Sequence, residues 1–440
     1  MMKPFIEFNK YHTVLTSLDP IQANGKVTKV VGLVAEANGP ASRIGTLCDI
    51  LPKGNASKVK AEVLGFRDDK VLLMPLGEFR AIAPGSQVVA KQQKALIGVG
   101  DGLLGRVIDG LGNPIDGKGP IVIEEEYPIY TDPMNPLLRR RISQPLDTGI
   151  RAISGLLSIG CGQRMGIFAG SGVGKSVLLG MIARNTLADV NVIALIGERG
   201  REVNDFLERE LGPEGLRRSV VVVATSDHLP LIRMRGAFIA TAVAEYFRDR
   251  GKQVILMMDS VTRFAMAQRE VGLATGEPPT TKGYTPSVFS LLPKLLERAG
   301  TSSNRGSITG LYTVLVESDD MNEPIADAVR AILDGHIILS RDLAMQNHYP
   351  AVDILNSVSR VMDEIIDVKH RANANKLKAI LDTYRKAEDL INIGAYVKGS
   401  SPKIDYAIEM IEKVNAYLRQ DIEESFTLKE SIQQLGDLFC

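Results

Sequence analysis

The chain has 440 residues, beyond the roughly 250–300 at which one hydrophobic core stops growing, so two or three domains are expected. Hydrophobic residues are 45% and charged residues 24%, which excludes wholesale disorder. The 52 basic residues are matched by 52 acidic ones, which excludes a global basic field for coating nucleic acid or an anionic membrane. Three cysteines without metal-ligand spacing, apolar runs far short of ~18 residues and no signal-peptide pattern read as a soluble, cytoplasmic protein.

Residues 1–23 come first. Phe8, Tyr11, Leu15 and Leu18 follow Pro4 at helical spacing, which predicts an amphipathic helix over 4–18 that docks on its own chain or on a partner. Residues 24–92 change texture. Short β-rich runs at 27–34, 58–66, 71–74 and 87–90 are separated by Asn-Gly, Gly-Pro and Pro-Gly turns, which describes a small closed barrel. Barrels of this size bind single-stranded nucleic acid when they carry aromatics and a basic groove. This one has only Phe66 and Phe79, with ten Lys/Arg against six Asp/Glu, so a structural or ring-forming collar is expected and no nucleic acid.

From 93 to 345, strands alternate with helices. Apolar runs at 165–168, 192–196, 220–224, 254–258, 309–316 and 337–339 are continuous, as in a parallel sheet covered on both faces. Helical patterns lie between them, notably at 177–186 and 236–250. No strand signal follows about residue 356. Leu377, Ile380, Leu381 and Tyr384 share one helical face, as do Ile404, Ile408, Ile411 and Leu418, and then Leu428, Ile432, Leu435 and Leu438, so 346–440 reads as a helical domain.

The strongest local signal is Ala169-Gly170-Ser171-Gly172-Val173-Gly174-Lys175-Ser176, which follows an apolar strand and runs into Val177 at a helix start. Glycines let successive N–H groups curl toward the β- and γ-phosphates, and the helix N-terminus adds partial positive charge. Lys175 neutralises phosphate oxygens, and the Ser176 hydroxyl ligates Mg²⁺. Ala169 stands where glycine is usual, at a position that needs only a small residue. Asp259, closing the apolar run 254–258, is placed to hold the Mg²⁺ water shell. Glu198, at the tip of the run 192–196, is a candidate to orient and deprotonate the attacking water; spacing alone leaves open a surface ion pair with Arg199 or Arg201. The histidines at 12, 228, 336, 348 and 370 have no metal spacing and read as structural or solvated.

Together with Gly197-Glu198-Arg199 and the segment from Pro350 to Ser359 (PAVDILNSVS), these motifs resemble the rotary ATP synthase α/β family over about residues 24–440. The segments 264–273 (FAMAQREVGL) and 276–289 (GEPPTTKGYTPSVF) are similar to its secretion branch, the flagellar protein-export ATPases and their virulence type III counterparts. The resemblance implies an α/β fold: an N-terminal small β-barrel, a central RecA-type parallel-sheet nucleotide domain and a C-terminal helical domain. It implies that Glu198 polarises the lytic water, that Arg199 lies in the phosphate environment, and that the Tyr349 ring packs on adenine. Arg360 matches the arginine that reaches a neighbouring subunit's γ-phosphate. Two departures stand out. Ser154 occupies a segment where ATP synthase subunits carry Asp, which removes a local ion pair, and the acidic DELSEED-type segment of the β subunit is not present.

In rotary ATP synthases the glutamate and the trans arginine sit on different chains, whereas this chain carries both. That combination leads to a homohexamer with six equivalent sites. The expected function is Mg²⁺-dependent ATP hydrolysis for flagellar protein export, at the cytoplasmic face of an inner-membrane export gate that receives chaperone–substrate complexes. The loop 270–281 would face a central coiled-coil stalk protein, and the helix 4–18 a stator-like regulator. The virulence secretion ATPase is the near alternative; a Rho-type RNA translocase and a non-catalytic nucleotide-binding scaffold are more distant ones.

Overall fold

The structure is a computed structural model that describes residues 24–52, 57–77, 79, 81–91, 95–303, 305–316 and 320–440. The helix predicted over 4–18 therefore lies outside the described residues. The chain divides into two compact units, one running to Ala95 and including 274–276, the other holding Leu96–Leu273 and Glu277–Cys440.

The first unit is a six-stranded closed barrel. Its strands are β1 (Asn24–Val31), β2 (Val34–Asn38), β3 (Leu47–Leu51), β4 (Val59–Arg67), β5 (Lys70–Pro75) and β6 (Gln87–Ala90), hydrogen-bonded in the order β1-β2-β5-β4-β3-β6. Alternation aims Val27, Ala35, Ala37, Ile50, Ala61 and Leu73 inward, where small alanines suit the narrow interior. Asp68 and Asp69, at φ 46° and 61°, make the tight turn that pairs Arg67 with Lys70. The sequence pattern did not separate β2 or β3. Ala35 and Ala37 carry little β preference, and β3 is only five residues long. Cys48 is buried in this core, its thiol pushed up to about 11 by burial and then by Asp49; all three cysteines are free.

The second unit is built on a nine-stranded sheet. Strands β7 (Leu96–Val99) and β9 (Glu125–Pro128) form a separate ribbon, and β8 (Arg106–Asp109) joins the sheet edge. The remaining strands are β10 (Arg164–Ala169), β11 (Val190–Ile196), β12 (Ser219–Ala224), β13 (Gln253–Asp259), β14 (Gly300–Thr301), β15 (Ser307–Leu315), β16 (Gly335–Leu339) and β17 (Val358–Ser359). Their order is β17-β16-β10-β15-β13-β11-β12-β8, with β14 beside β15. All pairings are parallel except those of β14 and β17. Every residue of β11 and β12 is buried, as their continuous apolar composition requires. β17 corrects the expectation of no strand after 356: two residues are too few to carry a period.

Helices α1 (Arg151–Leu156), α2 (Lys175–Asn185) and α3 (Pro230–Asp249) cover the sheet, and α4 (Val368–Asn392), α5 (Pro402–Leu418) and α6 (Leu428–Asp437) form the helical segment. One core runs from Ile153 and Leu156 to Leu377, Val414 and Leu435, so these helices pack on the nucleotide core rather than apart from it. Arg151 stitches the two, donating to the carbonyls of Tyr417 (2.6 Å) and Ala416 (2.9 Å) with its guanidinium 4.3 Å from the Phe426 ring centre. Ser154, where an ion pair was expected to be lost, instead shares a hydrogen bond with the Thr148 hydroxyl at 3.2 Å.

Candidate active site

The glycine-rich loop joins β10 to α2. Gly172 and Gly174 take φ of 80° and 86°, left-handed values that a side chain resists. Val173 is 2% exposed and pins the loop to the core. Gly174 caps α2 with no side-chain bond, so the first N–H groups of the helix stay open to an anion. The Tyr349 ring covers this loop: a Cβ placed on Gly174 would stand 3.5 Å from its Cε1. Tyr349 keeps 41% of its surface exposed, leaving the ring free to stack a base.

The parallel register gathers the charged groups at the C-terminal end of the sheet. Lys175 Nζ lies 2.5 Å from Asp259 Oδ1, at the end of β13, and 3.5 Å from Glu198 Oε1, beyond β11. Burial works against the lysine's charge, but Asp259 and Glu198 outweigh it and hold its pKa above the ordinary value. Asp259 is 3% exposed and accepts a 2.7 Å hydrogen bond from the Thr313 hydroxyl on the intervening strand β15. Ser176 is exposed on the first turn of α2.

Glu198 carries a strongly raised carboxyl. Burial, then the Asp259 charge, push it up to about 7 against the pull of Lys175. Its Oε1 is buried with no hydrogen-bond partner beyond the long approach of Lys175, an acceptor available to water. Glu202, one helical turn on, is drawn below the usual carboxylate range by its hydrogen bond with Glu198 and then by Arg199. Arg199 turns outward: its side chain is 79% exposed and pairs with Glu202 at 3.0 Å, so the chain by itself does not bring it to the loop.

Arg360 lies at the other end of the sheet. Ser359 pairs with Gly335, and Gly166 with His336, so Arg360 follows a position level with Met165. Ala169, where the loop begins, is four residues farther along β10, about 13 Å away. Arg360 is exposed, and its guanidinium has no ion-pair partner among the described residues.

Motif reading missed Thr313, Glu202 and Arg263. Arg263 packs its stem against Gly197, where a Cβ would fall 2.7 Å from the arginine's own, and its buried Nε has no hydrogen-bond partner. Its position four residues past Asp259, on the helix Val261–Thr275, is the only signal that could have singled it out.

Comparison with known proteins shows the family. Residues 149–359 match the nucleotide-binding domain of the ATP synthase alpha/beta family, 27–91 its beta-barrel domain, and 366–437 the T3SS EscN ATPase C-terminal domain. The chain is 56% identical to a flagellum-specific ATP synthase of Bacillus subtilis, covering 96% of each chain. It is 49% identical to a type 3 secretion system ATPase of Xanthomonas euvesicatoria, covering 93% of each. Among solved structures, the assembled ATPase EscN of enteropathogenic E. coli superposes with a TM-score of 0.90 at 47% identity, over 94% of this chain and all of that one. EscN in complex with its central stalk EscO gives 0.87 at 46% identity, with the same coverage. The chain therefore belongs to the ATP synthase α/β family, in its branch of flagellar and type III secretion ATPases, and is itself an ATPase.

Proposed function

We propose that this ATPase works as a homohexamer energising flagellar protein export, with each site shared between two copies. One copy supplies the loop 169–176, Lys175, Glu198 and Asp259; the next supplies Arg360. The observation that carries this reading is the placement of Arg360 at the sheet end opposite the loop, exposed and without an ion-pair partner among the described residues, while one chain carries both halves of the chemistry. The assembled ATPase EscN supports the same arrangement by similarity.

Backbone N–H groups of the loop and the α2 N-terminus bind the phosphates, with Lys175 neutralising their charge. Tyr349 stacks the adenine. The Ser176 hydroxyl and the Asp259 carboxylate are hard oxygen donors that would hold Mg²⁺. When bound, Mg²⁺ neutralises charge on the phosphate oxygens. Glu198, its pKa near neutrality, orients the attacking water and takes its proton. Arg360 of the neighbouring copy meets charge developing on the γ-phosphate, a contribution of about 10³–10⁵ in rate. Arg199 completes the phosphate surroundings once a neighbour covers its exposed side chain. The central stalk named with EscO and the membrane export gate are the partners this reading assigns, placing the ring at the cytoplasmic face of the membrane; no described helix is long and apolar enough to cross it.

Mixing Glu198→Gln with Arg360→Ala chains tests the reading. Each should be nearly inactive alone, and mixed rings should recover turnover at interfaces that pair an intact loop with an intact arginine. No recovery at any ratio removes the shared site.

A further inference from the structure

We propose that Arg385, on α4 of the helical segment, is a positioning residue for Arg360, tying that arginine's aim to the placement of the helical segment. The proposal rests on the reading that Arg360 serves a neighbouring copy.

Arg360 ends a turn organised by one carboxylate. Asp353 Oδ1 accepts the N–H groups of Leu355 and Asn356, both at 3.1 Å, and its Oδ2 accepts the Asn356 side-chain amide at 2.8 Å. Its own carbonyl accepts the Ser357 hydroxyl at 2.6 Å, and that hydroxyl accepts the Ile338 N–H at 2.9 Å, fixing the turn to β16. The next residues form β17, and the Arg360 N–H donates to the Asp334 carbonyl at 3.0 Å. Every bond named so far holds the turn to itself or to the sheet. The bond to Asp353 that comes from the helical segment is Arg385 Nη1 to Oδ2, at 3.4 Å.

The surroundings of this pair leave it room to move. Asp353 and Arg385 line two hollows at once, one of about 360 Å³ toward His348 and Leu418, the other of about 470 Å³ toward Phe168 and His336. A shift of α4 carries Arg385 with it and so changes the pull on Asp353. The Asp353 side chain is 11% exposed and that of Arg385 55%, so the pair adds little to stability. Its effect is geometric, because displacing a catalytic group by about 1 Å costs on the order of a hundredfold in rate.

The test uses the full chain, with oligomer mass measured beside steady-state kinetics. Arg385→Ala should lower kcat by about tenfold or more while KM for ATP stays within about twofold, and Arg385→Lys should keep most of the turnover. Arg385→Gln, which keeps the stem and loses the charge, should match Arg385→Ala even if that variant assembles poorly. The separating measurement is mixing. A Glu198→Gln chain has a dead loop side but an intact Arg360, so adding it should raise the rate per Arg385→Ala chain, as it should for Arg360→Ala. Rescue of Arg360→Ala without rescue of Arg385→Ala overturns the proposal and leaves the shared site standing. Wild-type kcat in Arg385→Ala overturns it as well. No rescue of Arg360→Ala brings down the shared site and the proposal with it.

Discussion

Replacing Glu198 with glutamine should make the protein more stable and far less active, by amounts that depend on pH. The side chain is 13% exposed, and its carboxyl titrates at about 7 in the folded chain. In an unfolded chain a glutamate titrates near 4.3. Between about pH 4.3 and 7 the folded state therefore holds a proton that the unfolded state has released. Stability falls as pH rises through that window, and the cost is complete above about pH 7. The gap corresponds to about 4 kcal/mol and already includes the 3.5 Å attraction to Lys175, so a gain of about 2–4 kcal/mol is expected at pH 8. Almost none is expected at pH 4.5. Thermal melting of nucleotide-free wild type and Glu198→Gln at the two pH values reads the difference. Phosphate release should fall by about 10²–10⁴ with the positioned base gone, and wild-type kcat/KM should rise with pH through about 7. A melting difference equal at both pH values, or a variant within tenfold of wild-type turnover, refutes the assignment of Glu198 as a buried, near-neutral base.

Three further outcomes follow from the same geometry. Tyr349→Ala should raise KM for ATP by about tenfold through lost base stacking while Tyr349→Phe leaves it unchanged, as read by initial rates. Thr313→Ala, which removes the hydroxyl 2.7 Å from Asp259, should lower turnover, with Thr313→Ser restoring it. Arg298 is fully buried and doubly bonded to Glu245 at 2.6 and 2.9 Å, so Arg298→Ala should destabilise the protein by about 3–5 kcal/mol in denaturant unfolding, without any direct part in catalysis.

Much of the site was legible because its residues follow uninterrupted apolar strands. Ala169, Glu198 and Asp259 each sit at or just past the end of such a run, and a parallel sheet brings strand ends of one sense together. Thr313 carried no signal because a threonine inside an apolar strand gains meaning only from its register neighbour. Arg263 depends on the backbone turn at Gly197, and Glu202 hides in a stretch dense with charge. For Arg360 the sequence alone could not say which end of the sheet it occupies. That follows from β17, whose two residues leave no pattern. In the barrel, β2 and β3 escaped for the same reason, being short and, in β2, rich in alanine.

The shared site is tested most directly by measuring specific ATPase activity and oligomer mass together across a dilution series of wild-type protein. Activity per chain should fall steeply as the ring dissociates, with nucleotide still bound by the monomer. A monomer that hydrolyses ATP as fast per chain as the ring would contradict it.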